Sequence, residues 1–317
     1  MLISLLFVIA GIAVLVYSAN VLVESASTLA RYLGLSLAIV GAIVVGFGMS
    51  LPEFAVSITA SARDDLNLAA GNVVGSMIAN LTIVLGGAVL LGGTAISTKG
   101  KRIHLPLSLA SVLVFVLVIR GGLSRWSGVA MLLLLIISLI LMIKFDTNPF
   151  LSQQSSVVSA ELPDKENYQR SIELSKLLLS LIGVVGASYI VTQGAMDLAK
   201  EWGVQSGLIG VSLVAVGTSL PELVASIVSV KKGKHGLIIG TVLGSNIFNG
   251  FGIGGLVGVV GPGKIEDGSI LGTLEVVAML GVVGLSALFI ISTGKLGRFE
   301  AVVLIAAYAV WMFIVSI

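Results

Sequence analysis

Residues 41–80 and 210–249 align without a gap at an offset of 169, and sixteen of the forty positions are identical. The matches concentrate in GMSLPE against GTSLPE, at 48–53 and 217–222, and in GNVVGSMIAN against GTVLGSNIFN, at 71–80 and 240–249. The offset also pairs Arg31 with Lys200 and Glu24 with Gln193, so the duplication starts within the first apolar run. Runs of about 20 apolar residues are what a ~30 Å hydrocarbon core requires of a helix. Ten can be placed, at 2–23, 36–61, 69–93, 104–120, 126–145, 172–196, 205–230, 236–259, 269–292 and 298–316. Each residue is five runs away from its counterpart. Because five is odd, the second copy enters the membrane upside down relative to the first. The expected fold is an all-α membrane protein, with ten transmembrane helices in two inverted five-helix repeats. The N-terminal repeat spans 1–145, a linker 146–171 and the C-terminal repeat 172–317, with the duplicated segments at about 41–80 and 210–249.

Composition supports the membrane reading. The chain is 56% hydrophobic and 11% charged, with a mean hydropathy of +1.11, far outside the soluble globular range. The first run lacks a basic leader and a small-residue cleavage site, so it reads as a spanning helix and not a signal peptide. The absence of cysteine excludes a disulfide framework and a thiolate metal site. A net charge of +2 gives no reason to expect a nucleic-acid partner; the expected surroundings are membrane lipid. Of the eighteen Lys and Arg residues, thirteen fall on one side of the ten-run topology and five on the other. The positive-inside rule puts the first side in the cytoplasm. The expectation is a multi-pass protein of the cell (plasma) membrane with both termini outside and the central linker cytoplasmic.

Glu53 and Glu222 sit midway along their runs, where an ionised side chain costs at least ~2.5–3.5 kcal/mol. No Lys, Arg or His lies at comparable depth in any run, so either both acids are protonated or a bound cation supplies the charge. Pro52 and Pro221 are helix-breaking: each lacks an N–H, which releases the carbonyl of Gly48 or Gly217 one turn earlier. Freed carbonyls within a membrane are tolerated where they line a cavity or coordinate an ion. Ser50, Glu53 and Ser57 fall on one helical stripe, and Ser219, Glu222 and Ser226 repeat it. Ser76 and Asn80 are four apart, as are Ser245 and Asn249. For Ser57 and Ser226, ion contact and a bond back to their own helix are both open. Gly71, Gly75, Gly86, Gly240, Gly244 and Gly250 permit close helix packing as well as helix breaking.

The converging groups are two carboxylates, several hydroxyls, two side-chain amides and loosened carbonyls, all oxygen with no nitrogen base or sulfur, an inventory suited to Ca²⁺ or Na⁺ and poorly suited to zinc or copper. Two carboxylates match one divalent ion or two monovalent ones, and as a coupled pair they can also take up protons. Competition between Ca²⁺ and a monovalent cation for one site gives an antiporter directly. Inverted repeats that meet at the midplane belong to secondary transporters and supply alternating access.

These motifs resemble the calcium/cation antiporter superfamily, in its compact prokaryotic sodium/calcium-exchanger-like branch, over the whole chain. The resemblance implies that Glu53 and Glu222, with the backbone carbonyls of Met49 and Thr218, are the Ca²⁺ ligands. It implies monovalent sites at Ser50, Ser76, Thr218, Ser219 and Ser245, and a polar pair at Asn80 and Asn249. It also implies that the first and sixth helices slide across the bundle as a gate. Met49 stands where the pattern expects a hydroxyl, and Asn249 where some relatives carry an aspartate. Both departures favour H⁺ as the counter-ion, with Na⁺/Ca²⁺ exchange as the alternative. No cofactor is expected, and a site enclosed in one chain needs no second copy, so a monomer suffices. A passive cation channel would use the same oxygens without requiring inverted copies. An enzyme would require a nucleophile or a histidine cluster that the runs lack, so a transporter is expected.

Overall fold

Helix covers most of the described residues in each of the ten apolar runs. The computed structural model describes residues 2–97, 100–146, 170–202, 215–264, 273–292 and 294–316. In chain order the helices are α1 (Leu2–Leu33), α2 (Leu37–Met49), α3 (Leu51–Ser61), α4 (Leu66–Gly92), α5 (Gly100–Gly121) and α6 (Arg125–Asp146). They continue with α7 (Arg170–Glu201), α8 (Ala215–Thr218), α9 (Leu220–Lys231), α10 (His235–Val260), α11 (Thr273–Ser292) and α12 (Arg298–Ser316). Among the described residues, α1, α4, α5, α6, α7 and α10 are long and apolar enough to cross a membrane, and the bent pair α2–α3 makes a seventh. Most of the linker expected at 146–171, and residues 205–214 of the seventh expected run, lie outside the described residues.

The sequence-based boundaries fall short at two helices. α1 continues ten residues beyond the expected end at 23 because its hydroxyls bond inward: Ser27 Oγ donates to the Val23 carbonyl at 2.7 Å and is buried. α7 likewise runs to Glu201, past the expected 196. In both cases polar residues end the apolar run before they end the helix.

Burial ranks the helices. In α4, 83% of the most apolar stretch is buried, and in α10, 94%, against 28%, 22% and 33% in α1, α6 and α7. The two helices that carry the second motif of each copy are therefore central, and the outer three offer wide apolar faces to lipid. α2 crosses α10 with backbone nearly touching: the missing side chain of Gly240 leaves room for the Ala38 backbone, and that of Gly244 for Ala42. These glycines, with Gly250 against the Ser111 carbonyl and Gly86 against Ala301, serve close packing. α1 and α7 pack along their length through small residues, with Gly11 against Ala187 and Val191, and Gly194 against Ser4, Phe7 and Val8. Glu24 of α1 pairs with Lys232 at the end of α9.

Two backbone bridges tie the first half to the second. The short strands β1 (Thr94–Ala95) and β2 (Lys295–Leu296) pair antiparallel, Thr94 opposite Leu296. Leu123 and Gly263 exchange N–H···O bonds of 2.7 and 2.8 Å.

Candidate cation site

Both duplicated motifs break their helix at the same letter. α2 and α3 meet at 48°, with Ser50 at φ −79°, ψ 3° between them. Ser219, between α8 and α9, has nearly the same backbone, φ −92°, ψ 4°. Helix resumes at once, since the Ser50 carbonyl accepts from Phe54 N–H and the Ser219 carbonyl from Leu223 N–H, each at 3.0 Å. Pro52 and Pro221 thus fall in the first turn of α3 and α9, where proline is well accommodated because an N–H there has no helical partner. Glu53 and Glu222 occupy the same first turns. The positive end of a helix dipole therefore lies under each carboxylate.

One of the carbonyls freed by proline has a partner in the protein. That of Gly217 accepts a hydrogen bond from Ser188 Oγ of α7 at 3.0 Å, so it is not released towards a cation as the proline alone suggests. At the 169 offset the residue corresponding to Ser188 is Ala19, which has no hydroxyl to offer.

Glu53 and Glu222 are each 1% exposed. The two carboxylates lie close enough to feel one another's charge, and the Ser76 hydroxyl lies beside that of Glu53. Glu53 Oε2 and both oxygens of Glu222 have no protein hydrogen-bond partner. Neither do Ser219 Oγ, Ser226 Oγ, Asn80 Oδ1, or Oδ1 and Nδ2 of Asn249. These eight buried atoms are seven oxygens and one amide nitrogen. At the low end of about 1 kcal/mol for each unsatisfied group, they cost about 8 kcal/mol, comparable with the whole stability of a typical domain. Among them the three carboxylate oxygens are the costliest to leave without a polar or charged neighbour. No lysine or arginine among the described residues is buried beside the acids, and no three His, Cys, Asp or Glu side chains among them cluster as metal ligands. The fixed negative charge is therefore that of two carboxylates.

Other expected residues surround the first break. Ser50 Oγ and Ser245 Oγ both donate to the Gly46 carbonyl, at 2.9 and 3.3 Å, which leaves their lone pairs free. Met49 is fully buried in an apolar cluster with Leu15, Ala19 and Leu22 of α1, so its side chain adds no oxygen. Thr218 closes α8 immediately before the second break. Ser57 departs from the helical-stripe reading. Its hydroxyl donates to Ala69 O at 3.3 Å and accepts from Asn72 Nδ2 at 2.9 Å, so it joins α3 to α4. Asn72 Nδ2 also donates to the Glu53 carbonyl at 3.0 Å, holding the acid's backbone. Thr241 replaces Asn72 in the second copy and bonds instead to Gly41 O, at 3.4 Å. Asn72, Ser188 and Asn246, which contacts Asn80, were not singled out by sequence. Asn72 and Asn246 lie within the duplicated second motif at positions the two copies do not share, and Ser188 is a polar letter in an apolar run.

The profile of the sodium/calcium exchanger protein family matches residues 3–144 and 174–317. The putative antiporter CaxA of Alkalimonas amylolytica is 33% identical over 95% of this chain and 94% of its own length. The sodium/calcium exchanger MaX1 of Methanosarcina acetivorans is 31% identical, covering 98% of this chain and 97% of its own. A solved structure of the sodium-calcium exchanger NCX_Mj, soaked with zero Na⁺ and Ca²⁺, superposes with a TM-score of 0.82. It is 27% identical and covers 98% of both chains.

Proposed function

The chain belongs to the sodium/calcium exchanger family, and from that premise we propose that it is a Ca²⁺/H⁺ antiporter of the cell membrane working by alternating access. The observation that carries this reading is the buried pair Glu53 and Glu222, three of whose four carboxylate oxygens have no protein partner, with no lysine or arginine among the described residues buried beside it. Glu53, Glu222 and the backbone carbonyls of Met49 and Thr218 hold Ca²⁺. Ser50, Ser76, Asn80, Ser219, Ser245 and Asn249 complete the polar lining. One Ca²⁺ or two protons neutralise the two carboxylates, so each excludes the other and the exchange is coupled.

Ten transmembrane helices in two inverted five-helix repeats, 1–145 and 172–317, would place these residues at the midplane. In support of that symmetry, Gly263 is the counterpart of Thr94 at the 169 offset, so each half reaches the other from the same place after its third helix. The termini lie outside and the 146–171 linker in the cytoplasm, on the thirteen-to-five distribution of basic residues. α1 and α7 are the sliding gate, consistent with their shared small-residue seam. All the ligands come from one chain, which works as a monomer.

Na⁺ as counter-ion is the second reading, favoured by the exchanger names of MaX1 and NCX_Mj and by the four site serines. Proton coupling is preferred because Met49 contributes packing in place of a hydroxyl and Asn249 an amide in place of an acid. Ca²⁺ uptake into vesicles of purified protein separates the two. An imposed pH gradient is expected to drive uptake in sodium-free buffer. Uptake driven by a Na⁺ gradient alone would sink the proton reading, and a large flux with no coupled counter-ion would make the protein a channel.

A further inference from the structure

We infer that Asn246 is a positioning residue that turns the Asn80 amide so that its oxygen, and not its nitrogen, faces the cation. The inference rests on the reading of Asn80 as part of the cation site. Asn246 is fully buried in α10, and its Nδ2 donates to the backbone carbonyl of Met77 in α4 at 3.3 Å. A backbone carbonyl only accepts, so the group of Asn246 that faces Met77 must be its NH₂. Asn246 Oδ1 is then left to face Asn80, and it accepts from Asn80 Nδ2 at 3.2 Å. The only group Asn80 has for that contact is its own NH₂. Its Oδ1 is consequently the atom turned away, buried and without a protein partner. An unambiguous acceptor at one end of the chain thus sets both amide orientations.

The anchor is itself held. The Ser111 hydroxyl of α5 shares its one hydrogen between the Ser108 carbonyl at 2.7 Å and the Asn246 carbonyl at 3.0 Å, which ties the backbone that carries the amide to α5. Met77 O also accepts from Asn80 N–H, where α4 opens into the wide turn Asn80–Val84. The second copy has no such lock. The counterpart of Asn246 at the 169 offset is Met77 itself, whose thioether cannot donate, and both amide atoms of Asn249, the counterpart of Asn80, are unpartnered. One asparagine is therefore a fixed oxygen ligand, and its symmetry mate is free to turn.

The test is the half-saturating Ca²⁺ concentration for uptake into vesicles, measured for Asn246→Leu in two backgrounds. In the natural background the expected rise is the roughly 10–100-fold that loss of an outer-shell partner brings. In an Asn80→Asp background the same substitution is expected to change half-saturation less than about 3-fold, because a carboxylate presents oxygen whichever way it turns. An equal loss in both backgrounds would reduce Asn246 to a structural role, and no loss in the first would overturn the inference outright. Asn246→Met, which copies the letter of the first repeat, repeats the comparison should the leucine variant fail to elute as a folded species. Asn80→Leu isolates the underlying site reading. If it leaves half-saturation unchanged, that reading fails. If it weakens Ca²⁺ uptake while the Asn246 variants do not, only the positioning role is lost.

Discussion

Glu53 and Glu222 each have a glutamine isostere that keeps shape and burial and removes the charge, so substitution separates electrostatics from packing. Glu53→Gln and Glu222→Gln are each expected to abolish Ca²⁺ uptake, a loss beyond the ~100-fold ceiling for outer-shell partners. Folding should persist, read as an unchanged elution profile and helical circular dichroism, since the carboxylate oxygens have few protein bonds to lose. Uptake at the natural rate by either variant would remove the site. Asn72 should behave in the opposite way. Asn72→Ala deletes two hydrogen bonds, to the Glu53 carbonyl and the Ser57 hydroxyl, at about 1 kcal/mol each. The expected result is a lower melting temperature with Ca²⁺ half-saturation little changed. The glutamates could be found from sequence because a charge in an apolar run is costly wherever it ends up. Asn72 and Asn246 could not, because an asparagine letter does not say which backbone it will meet, and Asn246 meets one 169 residues away. Ser57 and Ser226 make the same point: identical letters on identical stripes, one bonded to α4 and one unpartnered, because Asn72 faces one and Thr241 stands in the corresponding place for the other.

At the level of elements, the breaks at Ser50 and Ser219 were legible because proline states its own constraint locally. The wide turns Gly41–Gly46, Asn80–Val84 and Phe248–Ile253 were not, since nothing in their letters forbids regular helix. They lie where α2, α4 and α10 crowd together, so packing and not propensity selects them. The pairing of α1 with α7 also depends on packing, and it makes a mechanical claim. If the two helices slide as one body, a cross-link between them should be harmless, whereas one that ties them to the rest should not. The chain has no cysteine, so engineered pairs are unambiguous. Oxidised Ser18→Cys with Gly183→Cys, at the α1–α7 seam where the two positions touch, is expected to leave at least about half of the uptake. Glu24→Cys with Lys232→Cys, at the ion pair between α1 and the end of α9, joined by a reducible bis-methanethiosulfonate linker that spans the length of the two lost side chains, is expected to stop uptake, with recovery on reduction. Equal inhibition by both cross-links would mean that α1 and α7 do not move together.

For the whole molecule, the charge of the site sets how transport responds to voltage. Two carboxylates carry two negative charges, and no third acid joins them in a metal-ligating cluster among the described residues. In the proposed exchange the site would be neutral with one Ca²⁺ bound and neutral again with two protons. A carrier that crosses the membrane neutral in both directions moves no net charge per cycle, so its equilibrium ignores membrane potential. An exchange of three Na⁺ for one Ca²⁺ would instead move one net charge, worth about 2.3 kcal/mol per 100 mV. At about 1.4 kcal/mol per decade that is a change of roughly 50-fold in the Ca²⁺ gradient sustained. Vesicles clamped with a potassium ionophore at 0 and at 100 mV, under the same pH gradient, are expected to reach the same Ca²⁺ accumulation within about 2-fold. A shift approaching 50-fold would show that a third monovalent charge enters the site, and with it that the oxygens around Glu53 and Glu222 bind cations the two carboxylates do not by themselves neutralise.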